Sequence, residues 1–226
     1  MTKRWFVTGT DTEVGKTVTS GALLQAAEKA GYRCAGYKPV ASGAQNSSLG
    51  IRNKDACYLQ AYSTVPLTYD EVNPFVFVEP TSPHIVSVAE QKPINFDVMS
   101  HGLTKLTTKA DWVLVEGAGG WLTPLTLQHT FADWVLREQL PVILVVGLKL
   151  GCINHALLTA QSVAHKGLRL AGWIANHIQA EGRWHQAYLE TLQCYLHTPL
   201  LGVIPYLDEP HMLNLGEYLD ISLLHF

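Results

Sequence analysis

WFVTGTDTEVGKTVT, residues 5–19, runs from a short apolar β-type segment at 5–7 through a polar, glycine-punctuated loop into a helix-forming stretch. Gly15-Lys16-Thr17 stands where the helix starts. Strand, loop and helix in this order make a phosphate cradle. The N–H groups of the loop and first helical turn are unpaired donors, and the helix dipole adds partial positive charge. Lys16 reaches the β/γ-phosphates of a nucleotide, and the Thr17 hydroxyl sits on its magnesium ion. The spacing departs from the usual G-x-x-x-x-G-K-[ST]: Thr10 stands at the first glycine position, with Gly9 one residue earlier. Gly-Lys-Thr by itself is equally compatible with an ordinary strand–turn–helix; the flanking strand and helix favour the cradle.

Working outward, a first helix is expected over 15–30, where Val18, Ala22, Ala26 and Ala30 recur at i+4 and Gly31 supplies a stop. A second strand is expected over 33–37, ending at Lys38-Pro39 because proline cannot donate to a ladder. Residues 41–53 read as a polar loop, with Asn53 the N-cap of a helix over 54–62. Residues 73–84, with prolines on both sides of Thr81-Ser82, read as a rigid extended loop. A helix within 96–109 leads to a strand over 111–115, terminated by Glu116-Gly-Ala-Gly-Gly120. Helices over 130–139, from about 155 to 166, and over 183–196 alternate with strands at 142–146, 171–175 and 200–204; the tail carries no strong signal. Such alternation predicts an α/β fold: a doubly wound, mainly parallel sheet covered on both faces, of P-loop NTPase type. With no linker or repeat, residues 1–226 are expected to form one domain.

Hydrophobic content of 47% is ordinary for a globular chain. A net charge of −3 without a basic stretch argues against nucleic acid as a partner. The apolar run at 141–147 is too short to span a bilayer, and no export signal is visible, so no membrane partner is expected. Cys34, Cys57, Cys152 and Cys194 lack metal or C-x-x-C spacing and read as reduced thiols of a cytoplasmic protein. The ten histidines show no ligand pattern and read as structural or surface.

Ligands of parallel sheets gather at the carboxyl ends of the strands. Lys38, Glu116, Asn176 and Pro205 are expected just past strand ends on the cradle's edge, whereas Asp111 falls about 16 Å from Glu116, at the opposite end. Glu116 follows four apolar residues, where a nucleotide-binding chain puts a magnesium-holding carboxylate, or it is a surface carboxylate at a loop start. Gly117, Gly119 and Gly120 permit close approach of a ligand or serve the turn alone. Lys38 is a second cation for phosphate chemistry or a solvated loop lysine. Spacing alone does not single out Ser42 or Asp55. Residues 151–154 precede a helix whose N-terminus could take an anion, with Asn154 alternatively a simple cap.

Gly9-Thr-Asp-Thr-Glu-Val-Gly-Lys-Thr17, Gly36-Tyr-Lys-Pro-Val-Ala-Ser42, Glu79-Pro-Thr-Ser-Pro-His84, Val115-Glu-Gly-Ala-Gly-Gly120 and Gly151-Cys-Ile-Asn-His155 together resemble the dethiobiotin synthetase family over about residues 2–206. The extra loop residue is that family's own form. The resemblance implies a homodimeric ligase that joins 7,8-diaminononanoate, a diamino fatty acid, to CO2 or bicarbonate, with ATP as co-substrate and Mg2+ as cofactor. A carbamate and a carbamic–phosphoric anhydride precede closure to dethiobiotin, ADP and phosphate. It implies that Glu13, Val14, Gly15, Lys16, Thr17 and Val18 form the phosphate loop, with Lys16 and Lys38 catalytic. Thr17, Asp55 and Glu116 would hold the metal. Gly117, Ala118, Gly119, Asn176, His177, Pro205, Tyr206 and Leu207 would complete the ATP site, although an acidic residue commonly stands in the family where His177 stands here. Thr12, Lys38, Ser42 and Pro80 would surround the diamine, and Gly151, Cys152 and Asn154 would receive its tail carboxylate, across the dimer interface. The competing readings are a related P-loop amide ligase of cobalamin synthesis, a P-loop switch ATPase, and a fold that only binds nucleotide. The first usually appends a glutaminase domain, and the second carries a lysine where this chain has Asp11.

Overall fold

The computed structural model describes residues 2–208 and 214–225. Its chain order is β1 (Lys3–Gly9), α1 (Lys16–Lys29), β2 (Cys34–Tyr37), β3 (Val40–Ala41), β4 (Gln45–Ser47), β5 (Gly50–Arg52), α2 (Lys54–Ala61), α3 (Tyr69–Val72), β6 (Phe75–Val76), α4 (Pro83–Ala89), α5 (Phe96–Lys109), β7 (Trp112–Gly120), α6 (Phe131–Glu138), β8 (Val142–Gly147), α7 (Cys152–His165), β9 (Leu170–Asn176), α8 (His185–Tyr195) and β10 (Leu200–Ile204). Two short 3₁₀ turns, Gly216–Tyr218 and Ile221–Leu223, follow.

Six strands form one sheet in the order β10-β9-β8-β1-β7-β2, and all its pairings are parallel. Alternation along each strand sends side chains to opposite faces. Trp5 and Val7 of β1, with Trp112 and Leu114 of β7, pack under α1 and α2, joined by Leu215 and Leu219 of the tail. Phe6, Val113 and Val115 pack on the other face with Met99 and Leu103 of α5 and Trp134 of α6. Leu144, Val146 and Trp173 meet α7 and α8 there. Burial on both faces explains why these strands read as continuous apolar runs.

Three expectations need correction. The segment 41–53 is not only loop: β4 and β5 pair there as an exposed antiparallel hairpin. Glu116 does not lie past its strand. β7 continues to Gly120, with a register irregularity beside β1 before Gly9 meets Gly120. The glycines bulge the strand instead of ending it. The prolines of 73–84 hold an extended path only as far as Ser82; Pro83 is the first residue of α4, the helical position that needs no N–H donor. Asn53 caps α2 as expected, accepting from Ala56 N at 3.3 Å.

α6 starts with a capping box in which Asp133 accepts from Thr130 N at 2.7 Å, and Lys166 Nζ adds an ion pair at 2.6 Å. Burial works to raise the Asp133 carboxyl; the lysine and the threonine outweigh it, and it falls from 3.8 to about 2. Its contribution is therefore full above about 4 and disappears as pH falls through about 2. Asp133→Asn should cost about 1 kcal/mol at neutral pH. Denaturant melts at several pH values should show that difference vanishing near pH 2; a constant difference would contradict the cap's ionic character.

Candidate active site

The cradle is built on the carboxyl end of the central strand β1. Gly15, at φ 85°, is the N-cap of α1, and a Cβ on it would collide with Asn176 Nδ2. Asn176, the last residue of β9, donates from Nδ2 to Val14 O at 3.0 Å and so ties the loop to its neighbouring strand. No acidic residue stands in the first turn of α1, so its dipole faces the cavity uncompensated. Lys16 is buried, donating to Asp11 O at 2.9 Å. Burial first, and the Lys38 charge next, pull Lys16 down to about 8. A buried cation in this condition favours an anion beside it.

Lys38 follows β2 directly, and its backbone is fixed by bonds from Lys38 N to Val72 O (2.8 Å) and from Asn73 Nδ2 to Lys38 O (2.6 Å). Its Nζ lies between two carboxylates, 2.8 Å from Asp55 Oδ2 and 2.5 Å from Glu116 Oε1. Asp55 comes from the first turn of α2, and Glu116 from the interior of β7, where it is wholly inaccessible. Burial works against the Lys38 charge, but Glu116 and Asp55 outweigh it and raise its pKa above the ordinary value. Burial likewise works to raise Asp55, and the Lys38 ammonium outweighs it and lowers the carboxyl. Thr17 Oγ1 donates to Glu116 Oε1 at 3.0 Å, so the three residues of the expected metal set converge. Glu116 Oε2 is buried without a hydrogen-bond partner among the described residues. Two carboxylates, one of them with an unused oxygen, and a hydroxyl are hard donors suited to magnesium. Among the described residues no group of three His, Cys, Asp or Glu side chains forms a metal site, so a metal here needs Thr17 or other oxygens as well.

Three cavities meet around the loop. One of about 380 Å³ is lined by Glu13, Gly15, Lys16, Thr17, Val18, Lys38 and Asp55, among others. The next, of about 510 Å³, shares Thr12, Glu13, Ser42, Ala118 and Gly119 with it and extends to Pro80, Thr81, Ser82 and Thr123. The third, of about 190 Å³, is lined by Gly15, Asn176, His177, Pro205, Tyr206 and Leu207. His177 is buried; burial lowers its pKa, against Glu181 3.7 Å away, and its Nδ1 has no partner among the described residues. The expected residues from the five motifs thus converge, with one group apart. Gly151, Cys152 and Asn154 line none of these cavities. Gly151, not Asn154, is the N-cap of α7, and Asn154 is exposed within that helix. Asp111 pairs with Arg33 at 3.3 Å on the opposite edge, as the strand length required. Thr81, Ser82 and Thr123 were missed: Ser82 sits inside a quoted motif, whereas Thr123 carries no local signal. Lys149, whose Nζ lies 3.3 Å from Asp11 Oδ2, pairs with the loop but lines none of the three cavities.

Residues 3–211 match a family model described as an AAA domain. The chain is 64% identical over 225 residues to the ATP-dependent dethiobiotin synthetase BioD of Serratia marcescens, covering 99% of each. It is 61% identical to ATP-dependent dethiobiotin synthetase BioD 1 of Escherichia coli K12, covering 99% of this chain and 100% of that one. Among solved structures it resembles a chain of the MinC:MinD cell division protein complex of Aquifex aeolicus, at TM-score 0.59 and 15% identity over 96% of this chain and 86% of that one. It also resembles the septum site-determining protein MinD of Pyrococcus horikoshii complexed with Mg-ADP, at TM-score 0.57 and 16% identity over 99% and 89%. At such identities the structural likeness speaks for the P-loop nucleotide-binding fold alone.

Proposed function

The chain belongs to the ATP-dependent dethiobiotin synthetase family, and from that premise we propose how one sheet edge performs its cyclo-ligase reaction in biotin synthesis. The observation that carries the reading is the pair of adjoining cavities, one walled by the phosphate loop and the other by the hydroxyl residues Thr12, Ser42, Thr81, Ser82 and Thr123 together with Glu13, with Lys38 reaching the first.

The phosphate loop from Glu13 to Val18 binds ATP, with Lys16 on the transferring phosphate and Asn176, His177 and residues 205–207 around the base. Thr17, Asp55 and Glu116 would hold Mg2+, which would supply charge neutralisation to the phosphates when bound; the orphaned Glu116 Oε2 supports that assignment. Residues 117–119 let the backbone approach the nucleotide. Thr12, Ser42 and Pro80 place 7,8-diaminononanoate in the second cavity. One amine takes up CO2 and loses a proton, giving a carbamate. A carbamate oxygen attacks the γ-phosphorus and releases ADP, leaving a carbamic–phosphoric anhydride. The second amine attacks the carbonyl carbon, the ureido ring closes, and phosphate departs with that oxygen. Lys38 neutralises carbamate and anhydride in turn. Positioning and charge supply the catalysis, with no strong base required.

A homodimer completes this reading. Gly151, Cys152 and Asn154 take the substrate's tail carboxylate from a second copy, which agrees with their separation from the cavities of their own chain and with Leu150 beside them being 86% exposed. Residues 1–226 act as one domain. A cytoplasmic location keeps the four free cysteines reduced; among the described residues no helix is long and apolar enough to cross a membrane. The switch-ATPase reading is disfavoured by Asp11, whose carboxylate caps Thr12 N at 2.8 Å and pairs with Lys149.

Incubation with MgATP, bicarbonate and diaminononanoate should yield the ureido product by mass spectrometry, with one phosphate released per ring closed. Phosphate release without that product would sink the proposal.

A further inference from the structure

Ser82 occupies the N-cap of α4 yet its side chain makes no capping bond, whereas Asn53 and Asn95 cap their helices in the ordinary way. Its hydroxyl is engaged elsewhere, 2.9 Å from His84 Nδ1. Pro80 and Pro83 flank it and stiffen the backbone, and Ser87 Oγ donates to His84 O at 3.1 Å, fixing the turn that carries the imidazole. Ser82 lines the 510 Å³ cavity, while His84 lines a neighbouring cavity of about 370 Å³ with Val88, Ile94 and Leu125. The histidine therefore stands behind the serine, away from the reacting groups.

We propose that His84 is a positioning residue for the diamine: it holds the Ser82 hydroxyl so that the oxygen lone pairs face the substrate cavity. This rests on the cavity being the diamine site, as proposed above. A neutral imidazole protonated on Nε2 presents Nδ1 as an acceptor, and Ser82 donates its only proton to it. The serine oxygen is then an acceptor towards the cavity. An amine donating N–H to that oxygen keeps its nitrogen lone pair free to attack the carbon of CO2. A Ser82 hydroxyl without His84 rotates and offers its proton to the same nitrogen, where it competes for that lone pair.

Steady-state kinetics on purified protein test this. His84→Leu should raise KM for the diamine about tenfold, the loss of one ordinary hydrogen bond, while KM for ATP stays near wild type. His84→Asn, whose side-chain oxygen overlays Nδ1, should restore KM; His84→Gln, whose polar atoms overlay Nε2, should not. Ser82→Ala should give the same rise, and adding His84→Leu to it should add nothing, since the histidine acts through the serine. If the Leu variant fails to fold, the Asn and Gln pair carries the test. Additive effects, an equal rise in KM for ATP, or no difference between Asn and Gln would overturn the role of His84. Wild-type protein that turns over no diamine would overturn this proposal and the cavity assignment together, whereas wild-type turnover with unchanged KM in His84→Leu removes His84 alone.

Discussion

Replacing Lys16 by glutamine should lower kcat by at least about 10³-fold and leave the melting temperature nearly unchanged. Removing one fixed donor from a site of charge development costs about 10²–10³-fold in rate, and a point charge on a transferring phosphoryl group is worth more. The fold should tolerate the change because, among the described residues, the Lys16 ammonium hydrogen-bonds only to a neutral group, the Asp11 carbonyl, so no buried countercharge is orphaned. Glutamine moreover removes a buried charge that the surrounding protein already disfavours. Product formation followed with ATP and diamine both saturating, beside a thermal melt, checks both halves. A rate within tenfold of wild type would remove Lys16 from the transferring phosphate.

Lys38→Leu should differ in kind, losing turnover and stability together. Lys38 compensates Glu116, which has no access to solvent, and also pairs with Asp55. Removing one partner of a buried ion pair costs about 3–5 kcal/mol because the other charge remains uncompensated. The double variant Lys38→Leu/Glu116→Gln should regain most of that stability while remaining inactive, since the orphaned charge is gone but the cation proposed to neutralise the carbamate is still missing. Urea unfolding of the two single variants and the double variant measures this directly. Equal stability of Lys38→Leu and wild type would mean that Glu116 finds its compensation elsewhere. Both lysines line the same cavity, and the contrast follows from their partners: Lys38 answers the buried carboxylate of Glu116 and the half-buried one of Asp55, whereas Lys16 donates to a neutral carbonyl.

Much of this edge was legible in the sequence. The apolar run at 5–7, the helix-forming stretch after Gly15 and the alternation of strands and helices sufficed for a parallel sheet with a phosphate cradle at its carboxyl edge. Strand length alone sent Asp111 to the far end, where it pairs with Arg33. Asn53 announced its cap because that chemistry is local. What was not legible depends on partners distant in sequence. Gly117, Gly119 and Gly120 look like a strand's end, but pairing of Gly9 with Gly120 keeps them in β7 as a bulge. Pro83 reads as a breaker unless Ser82 is known to precede a helix, in which case it is an initiator. The closeness of Lys38, Asp55 and Glu116 spans 78 positions of chain, and nothing local separates Asp55 from other aspartates. Only the family resemblance singled it out. Ser82 lay inside a recognised motif, but its bond to His84 needed the turn of α4 to be seen.

On the proposed route this edge joins ATP to ring closure through an oxygen that passes from carbon dioxide to phosphate. Bicarbonate labelled with heavy oxygen, supplied with MgATP and diaminononanoate in unlabelled water and sampled before exchange, tests it in a single turnover. Each phosphate released should carry one labelled oxygen, and the ureido carbonyl should be labelled too. Labelled product accompanied by wholly unlabelled phosphate would contradict it, because the carbamate oxygen would then never have reached phosphorus.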